Sequence, residues 1–409
     1  MADFGGADLD AFRAEARTWL EENFPASLRR DASAVGETEA SGGKPTGDVA
    51  LWKARMGARG WGTPTWPTQY GGGGLSRPEA RVLAEEMARI GAPNPIGGMG
   101  VIMFGPTLLE YGAEAQKQRH IPAIVKGELR WCQGFSEPGA GSDLASLQTK
   151  AVDMGDHYLV SGSKIWTSGA HLADWCFCLV RTDPSKKHEG ISFLLIDMKS
   201  PGVEPRPIFL INGTTPFCET FFTDVKVPKE NLVGPLNGGW TIAKRLLQHE
   251  RQGISGANAQ PGAAGPGMVP GPSLDKLARD YVGVHEDGRL ADADLRTRLT
   301  RHLMEAQAFQ LTGQRASIEN RSNSGPSAAS SVLKNVGSWV RQERAELAVE
   351  ILGHQGVGWS GEGFTDDEIG TMRAMLRGKS GTIAGGSQEV QNNIISKRIL
   401  GLPEVTQKG

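Results

Sequence analysis

Three observations predict an α+β chain built as helices, then a small β domain, then a helical bundle. Apolar residues recur at helical spacing through most of the first 125 positions. Alternating strands broken by Pro and Gly follow from Trp131, and helical spacing returns beyond Gly238-Gly239-Trp240. A length of 409 residues suits two or three domains around a sizeable core. The expected divisions are 1–128, 129–236 and 237–409.

In the first part, Leu9, Phe12, Ala16, Trp19 and Leu20 share a helix face, and Asn23-Phe24-Pro25 ends it. Residues 31–48 are small, polar and glycine-rich and read as a loop. Leu51 to Gly60 predicts a short helix, followed by turns at Trp61 to Pro67 and at Gly71-Gly72-Gly73-Gly74. Val82, Leu83, Glu86 and Ile90 mark a helix over 78–90, and 104–127 predicts two more.

In the second part, His157 to Trp166 alternates after a Gly155-Asp156 turn, a hairpin signal. Asp174 to Arg181, Ile191 to Met198 and Thr220 to Val227 are further strands. In the third, Ile242, Leu246, Leu247 and Glu250 fall on one side of a helix, and 260–273 is Pro/Gly-rich and predicts a long mobile loop. Leu295, Leu299, Leu303 and Ala306 mark one long helix. Val332, Val336, Trp339 and Val340 mark another, continuing through Leu347 and Ile351. A last helix over 388–399 places Val390, Ile394 and Ile395 inward.

A net charge of −2 with 22% charged residues shows no basic excess, which argues against a nucleic-acid partner. No apolar run reaches membrane-spanning length, and Met1-Ala2-Asp3-Phe4 does not open a signal peptide. Cys132, Cys176, Cys178 and Cys218 are expected to be buried free thiols, because no second Cys/His pair has metal-ligand spacing. A reducing, cytoplasmic setting and no metal follow.

The chain is organised around Trp131-Cys132-Gln133-Gly134-Phe135-Ser136-Glu137-Pro138-Gly139-Ala140-Gly141-Ser142-Asp143. A strand end here gives way to a turn whose glycines let a ligand approach the backbone, with Ser136 and Ser142 offering hydroxyls. Taken alone, the turn fits a surface connection equally well. One hairpin later comes Lys164-Ile165-Trp166-Thr167-Ser168. An indole followed by two hydroxyl residues suits the face and edge of a flat aromatic ligand, although a core Trp with two loop hydroxyls has the same sequence.

With Ile383-Ala384-Gly385-Gly386-Ser387-Gln388-Glu389-Val390-Gln391, these segments resemble the acyl-CoA dehydrogenase family in order and spacing. Phe221 to Pro228 and Arg398-Ile399-Leu400-Gly401-Leu402-Pro403 resemble it too, so the likeness spans about 50–403. The resemblance implies an N-terminal helical domain, a central β-barrel and a C-terminal four-helix bundle. It also implies FAD at a subunit interface, an acyl-CoA substrate, an electron-transfer flavoprotein as acceptor and a homotetramer or mixed tetramer.

Carried over by position, Gln133, Phe135, Ser136, Gly141 and Ser142 lie along the flavin and its phosphates. Trp166 faces the ring, Thr167 and Ser168 meet its edge, and Ser387, Gln388 and Glu389 meet the dinucleotide. Ser142, Gln248, Arg251 and Gly386 are the implied substrate contacts. Many relatives place the catalytic Glu directly before the Gly of the last motif, but here that position is Gly385. A branch similar to isovaleryl-CoA and long-chain dehydrogenases places it on the helix after the barrel, before an Arg. Gln248-His249-Glu250-Arg251 makes Glu250 the implied base. It removes the α-hydrogen as a proton while a β-hydrogen leaves as hydride to FAD, giving the trans-2-enoyl thioester.

Two segments depart from the family. An Arg-x-x-Phe-Gly run has no clear counterpart between Leu274 and Arg298, and Glu350-Ile351-Leu352-Gly353-His354 carries an acid where an amide is usual. Both departures resemble a bacterial branch acting on steroid side chains and other bulky acyl-CoAs, in which some members form mixed tetramers. A partner subunit completing another chain's FAD site, and a flavin oxidase or monooxygenase, are the alternative readings.

Overall fold

The computed structural model describes residues 6–30, 32, 34–36, 43–254, 273–322 and 329–403; the side chains of 6–7, 250–254, 317–322 and 329–331 fall outside it. The loop expected over 260–273 therefore lies outside the described residues, apart from Ser273 at the start of a helix. The described chain forms two compact units. One runs to residue 250 apart from 209–215, and the other holds that connection and the helices from 273 onward.

The first unit opens with α1 (Gly6–Asn23), α2 (Gly47–Arg59), α3 (Arg77–Arg89), α4 (Gly105–Tyr111) and α5 (Glu114–Val125). Phe12, Ala16 and Leu20 of α1 meet Trp52, Met56, Leu83 and Met87 in one core. Gly60 ends α2 with φ 70°, and a Cβ there would lie 2.6 Å from the Gly71 carbonyl oxygen. Only glycine lets the predicted tetraglycine turn close over that helix end. Ser76 and Glu79 cap each other reciprocally to start α3.

Glu86, which shares the apolar spacing of α3, is buried against α1. It accepts from Arg13 at 3.0 Å, Arg17 at 3.0 Å and Arg89 at 2.7 Å. The Arg17 hydrogen bond leads in holding its carboxyl at about 2, against the opposing effect of burial. The folded-state pKa is depressed, so the stabilisation is complete above the ordinary carboxylate range and disappears as pH falls through about 2. Allowing for the solvent around the arginines, Glu86→Gln should cost about 2 kcal/mol near neutrality. The gap in urea midpoint between variant and wild type should narrow as the pH is taken towards 3, and a gap independent of pH would refute the ion-pair origin.

Seven strands follow: β1 (Trp131–Gly134), β2 (Lys150–Asp153), β3 (His157–Ser168), β4 (Trp175–Arg181), β5 (Ile191–Asp197), β6 (Val203–Ile208) and β7 (Phe217–Pro228). Their order is β1-β4-β2-β3-β7-β6, with β5 also paired to β4. The sequence signals missed β2, which is four residues long, and β6, whose Pro205 and Pro207 confine it to an edge. The expected central β domain is present, and among the described residues β1 and β6 do not pair, so it is a half-barrel.

Alternation along β4 and β5 serves two cores at once. Cys176, Cys178, Val180, Leu194 and Ile196 face the inside of the half-barrel with Cys132, Val160 and Cys218. Phe177, Leu179, Phe193 and Leu195 face the other way, onto Phe104 just before α4, Leu108 of α4, and Ile121 and Ile124 of α5. All four cysteines are buried and unpaired with one another, as their apolar setting predicted. Ile242, Ala243 and Leu246 join the second core from α6 (Gly239–Ile254).

The second unit contains α7 (Leu274–Tyr281), α8 (Ala293–Ser322), α9 (Ala329–Leu352), α10 (Asp366–Gly378) and α11 (Gln388–Ile394). Leu274, Leu277, Leu295, Leu299, Leu347 and Ile351 form its core. On α9 the buried stripe is Leu333, Val340, Leu347 and Ile351, whereas Val332, Val336 and Trp339 are exposed. Val340, Leu347 and Ile351 lie inward as their spacing predicts and the three earlier residues do not, since one residue turns the face by about 100°. Leu303 is also exposed; on α11 Gln391 is buried while Val390 and Ile394, with Ile395 just after the helix, are half-buried. No helix among the described residues is long and apolar enough to cross a membrane.

Candidate active site

β1 runs through Gln133, half-buried, into Phe135, whose ring lies edge-on to Phe177 at 6.0 Å and Phe193 at 6.2 Å. That ring is core, and Phe135 as a whole is buried rather than open to a ligand, which corrects the contact expected of it. Glu137 and Ala140 then exchange two backbone hydrogen bonds of 3.0 Å to close the turn. A Cβ added at Gly139 or Gly141 would meet nothing within 4 Å. The protein's own packing therefore does not demand glycine there, whereas a ligand against the backbone would. Ser142 is exposed beside them, and Ser136 is half-buried.

Among the described residues Trp166, Asp224 and Asn237 are the non-glycine residues with positive φ, and Trp166 is the bulky one. Its φ is 60°, and the β3–β7 register shifts between Lys164 and Thr167. A bulky residue in the left-handed region is strained, and such residues concentrate where the surroundings hold a side chain for a purpose. The bulge sends the indole outward, 52% exposed and edge-on to Phe217 at 5.9 Å. The same bulge turns Thr167 inward. Its hydroxyl donates to the Cys218 carbonyl at 2.7 Å and lies 2.6 Å from the Thr220 hydroxyl. The expectation that Thr167 meets a ligand edge is thus corrected: its hydroxyl is spent inside the sheet and the residue has no exposed surface. Ser168 is half-buried next to it.

Beneath both segments lies a fully buried ion pair to which the sequence reading gave no role. Lys164 Nζ donates to Glu137 Oε1 at 2.8 Å and to the Phe135 carbonyl at 3.1 Å. The Glu137 carboxylate also accepts from the backbone N–H of Gln148 at 2.6 Å and of Thr149 at 2.9 Å. Burial pushes its carboxyl up, but the Lys164 charge and these hydrogen bonds outweigh burial and hold it below the ordinary range. The signal was present in the alternation of β3: Lys164 follows Tyr158 and Val160 on the inward parity.

On α6, Gln248 accepts from Arg245 at 3.1 Å, and Arg245 forks onto Glu110 of α4. His249 lies 3.5 Å from Glu110, and burial lowers its pKa. Glu250 and Arg251 belong to α6 by backbone, and their side chains lie outside the described residues. In the second unit, Gly385 and Gly386 take φ of 67° and 95°, and Ser387 caps α11 by accepting from the Val390 N–H at 3.3 Å. Gln388 is half-buried and Glu389 exposed. The unusual acid, Glu350, is held by both arms of Arg298, at 2.5 and 2.6 Å. A surface concavity of about 410 Å³ lined by Arg296, Thr300 and Met304 of α8 holds none of the predicted site residues.

The exposed indole, the cleared glycine turn and the adjacent serines suit a flat heteroaromatic ring with an anionic tail. Sequence profiles of the N-terminal, middle and C-terminal domains of acyl-CoA dehydrogenase match residues 6–128, 132–225 and 237–400. The chain belongs to the acyl-CoA dehydrogenase family. With that family it is an oxidoreductase. It is 37% identical over 407 residues to "Acyl-CoA dehydrogenase IpdE1" of Mycobacterium tuberculosis, covering 97% of this chain and 98% of that one. The structure of the Tcur3481-Tcur3483 steroid ACAD superposes with a TM-score of 0.73 at 32% identity, over 97% of this chain and 98% of that one. The ChsE4-ChsE5 complex from Mycobacterium tuberculosis gives 0.71 at 30% identity, over 99% of this acyl-CoA dehydrogenase and 100% of that chain.

Proposed function

We propose that this chain is an FAD-dependent acyl-CoA dehydrogenase that converts a bulky, steroid-side-chain type of acyl-CoA to its trans-2-enoyl thioester in the cytoplasm. The observation that carries the reading is Trp166, strained and half exposed beside a glycine turn that packing alone does not require. FAD, when bound, supplies the hydride acceptor. Trp166 covers the face of the ring, and the Ser136 and Ser168 hydroxyls meet its edge. Gln133, Gly141 and Ser142 follow the phosphates, with Ser387, Gln388 and Glu389 on the dinucleotide. Glu250 takes the α-proton, and Ser142, Gln248, Arg251 and Gly386 orient the thioester end. The three-domain division at 1–128, 129–236 and 237–409 belongs to the same reading, as does an electron-transfer flavoprotein as acceptor.

A second reading has one specific support. Arg298 is taken up by Glu350 on the segment that differs from the family, and two of the similar structures, Tcur3481-Tcur3483 and ChsE4-ChsE5, carry two named components. In that reading the chain completes FAD sites within a mixed tetramer. Anaerobic titration of the purified protein with short, branched, long and steroidal acyl-CoAs separates the two. Bleaching by the steroidal thioesters in the protein alone supports the first. Colourless protein that gains flavin and activity only when co-expressed with a related chain selects the second, and rapid peroxide formation without an electron-transfer flavoprotein would point to an oxidase.

A further inference from the structure

We propose that the buried Lys164–Glu137 pair is a positioning clasp that sets Trp166 and the glycine turn before a ligand arrives. The inference rests on the flavin reading of this site and adds residues that touch no ligand in it. Three bonds join the end of β1 to β3 within two residues of Trp166. Lys164 reaches the Phe135 carbonyl and the Glu137 carboxylate, and the Ile165 N–H donates to the Ser136 carbonyl at 2.8 Å. Residues 135–137 are thereby tied one after another to residues 164 and 165.

The charges are placed where they cost most and move least. Lys164 has no exposed surface, and the Glu137 side chain is 7% exposed. A buried ion pair is seldom a net source of stability, since an apolar pair of similar volume often does as well. Its distinguishing property is directionality: the ammonium must sit between two oxygens, and the carboxylate must also satisfy the Gln148 and Thr149 N–H groups. Four anchors around one carboxylate and one carbonyl leave the β3 bulge a single register. The strained φ of Trp166 is the consequence, because the chain leaves its β7 partner after Lys164 and must re-enter pairing at Thr167 with one residue more than β7 has.

The test uses the full-length chain labelled with 5-fluorotryptophan, with the Trp166 ¹⁹F resonance assigned through Trp166→Phe. Lys164→Met should shift or broaden that resonance in the protein as purified. If the competent arrangement falls to about a tenth of the population, FAD affinity weakens about tenfold. Lys164→Met/Glu137→Gln removes both charges, so it should recover most of the lost Tm while the resonance and the FAD affinity stay impaired. That separation is what a merely structural pair would not give. An unchanged resonance and affinity in Lys164→Met, or recovery of both together with Tm in the double variant, overturns the proposal. If Lys164→Met does not fold, the double variant decides alone. A wild-type Trp166 resonance indifferent to FAD would instead refute the flavin reading, while the variant spectra still judge the clasp.

Discussion

Glu250→Gln is expected to bind flavin as the wild type does, yet to leave it oxidised when acyl-CoA is added, with kcat lower by about 10²–10⁴-fold. The α-proton of a thioester is a weak acid, and only a carboxylate shielded from water and poised against it will take that proton fast enough. Gly385 stands where many relatives carry that group, so the last motif cannot supply it. α6 continues through position 250, four residues beyond the buried Leu246 and eight beyond the buried Ile242. Helical spacing keeps those positions on one stripe. The amide of Gln keeps the size of Glu and removes its basicity, so substrate binding should survive while the proton transfer does not. Stopped-flow mixing with a substrate that bleaches the wild type reads this directly. Prompt bleaching of the variant would take Glu250 out of the role.

Phe177→Ala should cost about 3–5 kcal/mol, most of what a marginally stable unit can lose. Phe177 has no exposed surface, is stacked between Phe104 at 5.4 Å and Phe193 at 6.1 Å, and touches the edge of Phe135. It is where the outer face of the sheet meets α4, and rigid strands on either side cannot collapse into the void. Its neighbour Cys178 faces the half-barrel interior, and Cys178→Ala removes one small group there, for about 1 kcal/mol. The urea midpoint of the first unfolding transition should fall steeply for Phe177→Ala and slightly for Cys178→Ala. Equal shifts would mean that the two faces of β4 are not packed as described. Because Phe135 leads into the glycine turn, flavin affinity should drop in Phe177→Ala as well.

Much of the site was legible as chemistry before it was legible as geometry. Glycines beside hydroxyls, an indole at a strand end and a vacant Gly385 all stand in the sequence, and the motifs they form carried the family. What could not be read was which side of each residue faces what. Thr167 looked like a ligand contact because it follows Trp166, but the bulge spends its hydroxyl on Cys218 and Thr220. Phe135 looked like part of a ligand wall, yet its ring fills the core beneath. Lys164 carried no role in its motif and is without exposed surface.

By itself, then, the sequence determined the succession of helices, strands and helices, the burial of the cysteines and the chemistry offered at each motif. These depend on residue type and on spacing along the chain, which are local. The tertiary structure alone decided the stripe of α9 that is buried, the pairing of Lys164 with Glu137, the capture of Glu350 by Arg298 and the outward throw of Trp166. Each of these is settled by a group far away in the chain and close in space, and a periodicity carries no record of what lies across from it.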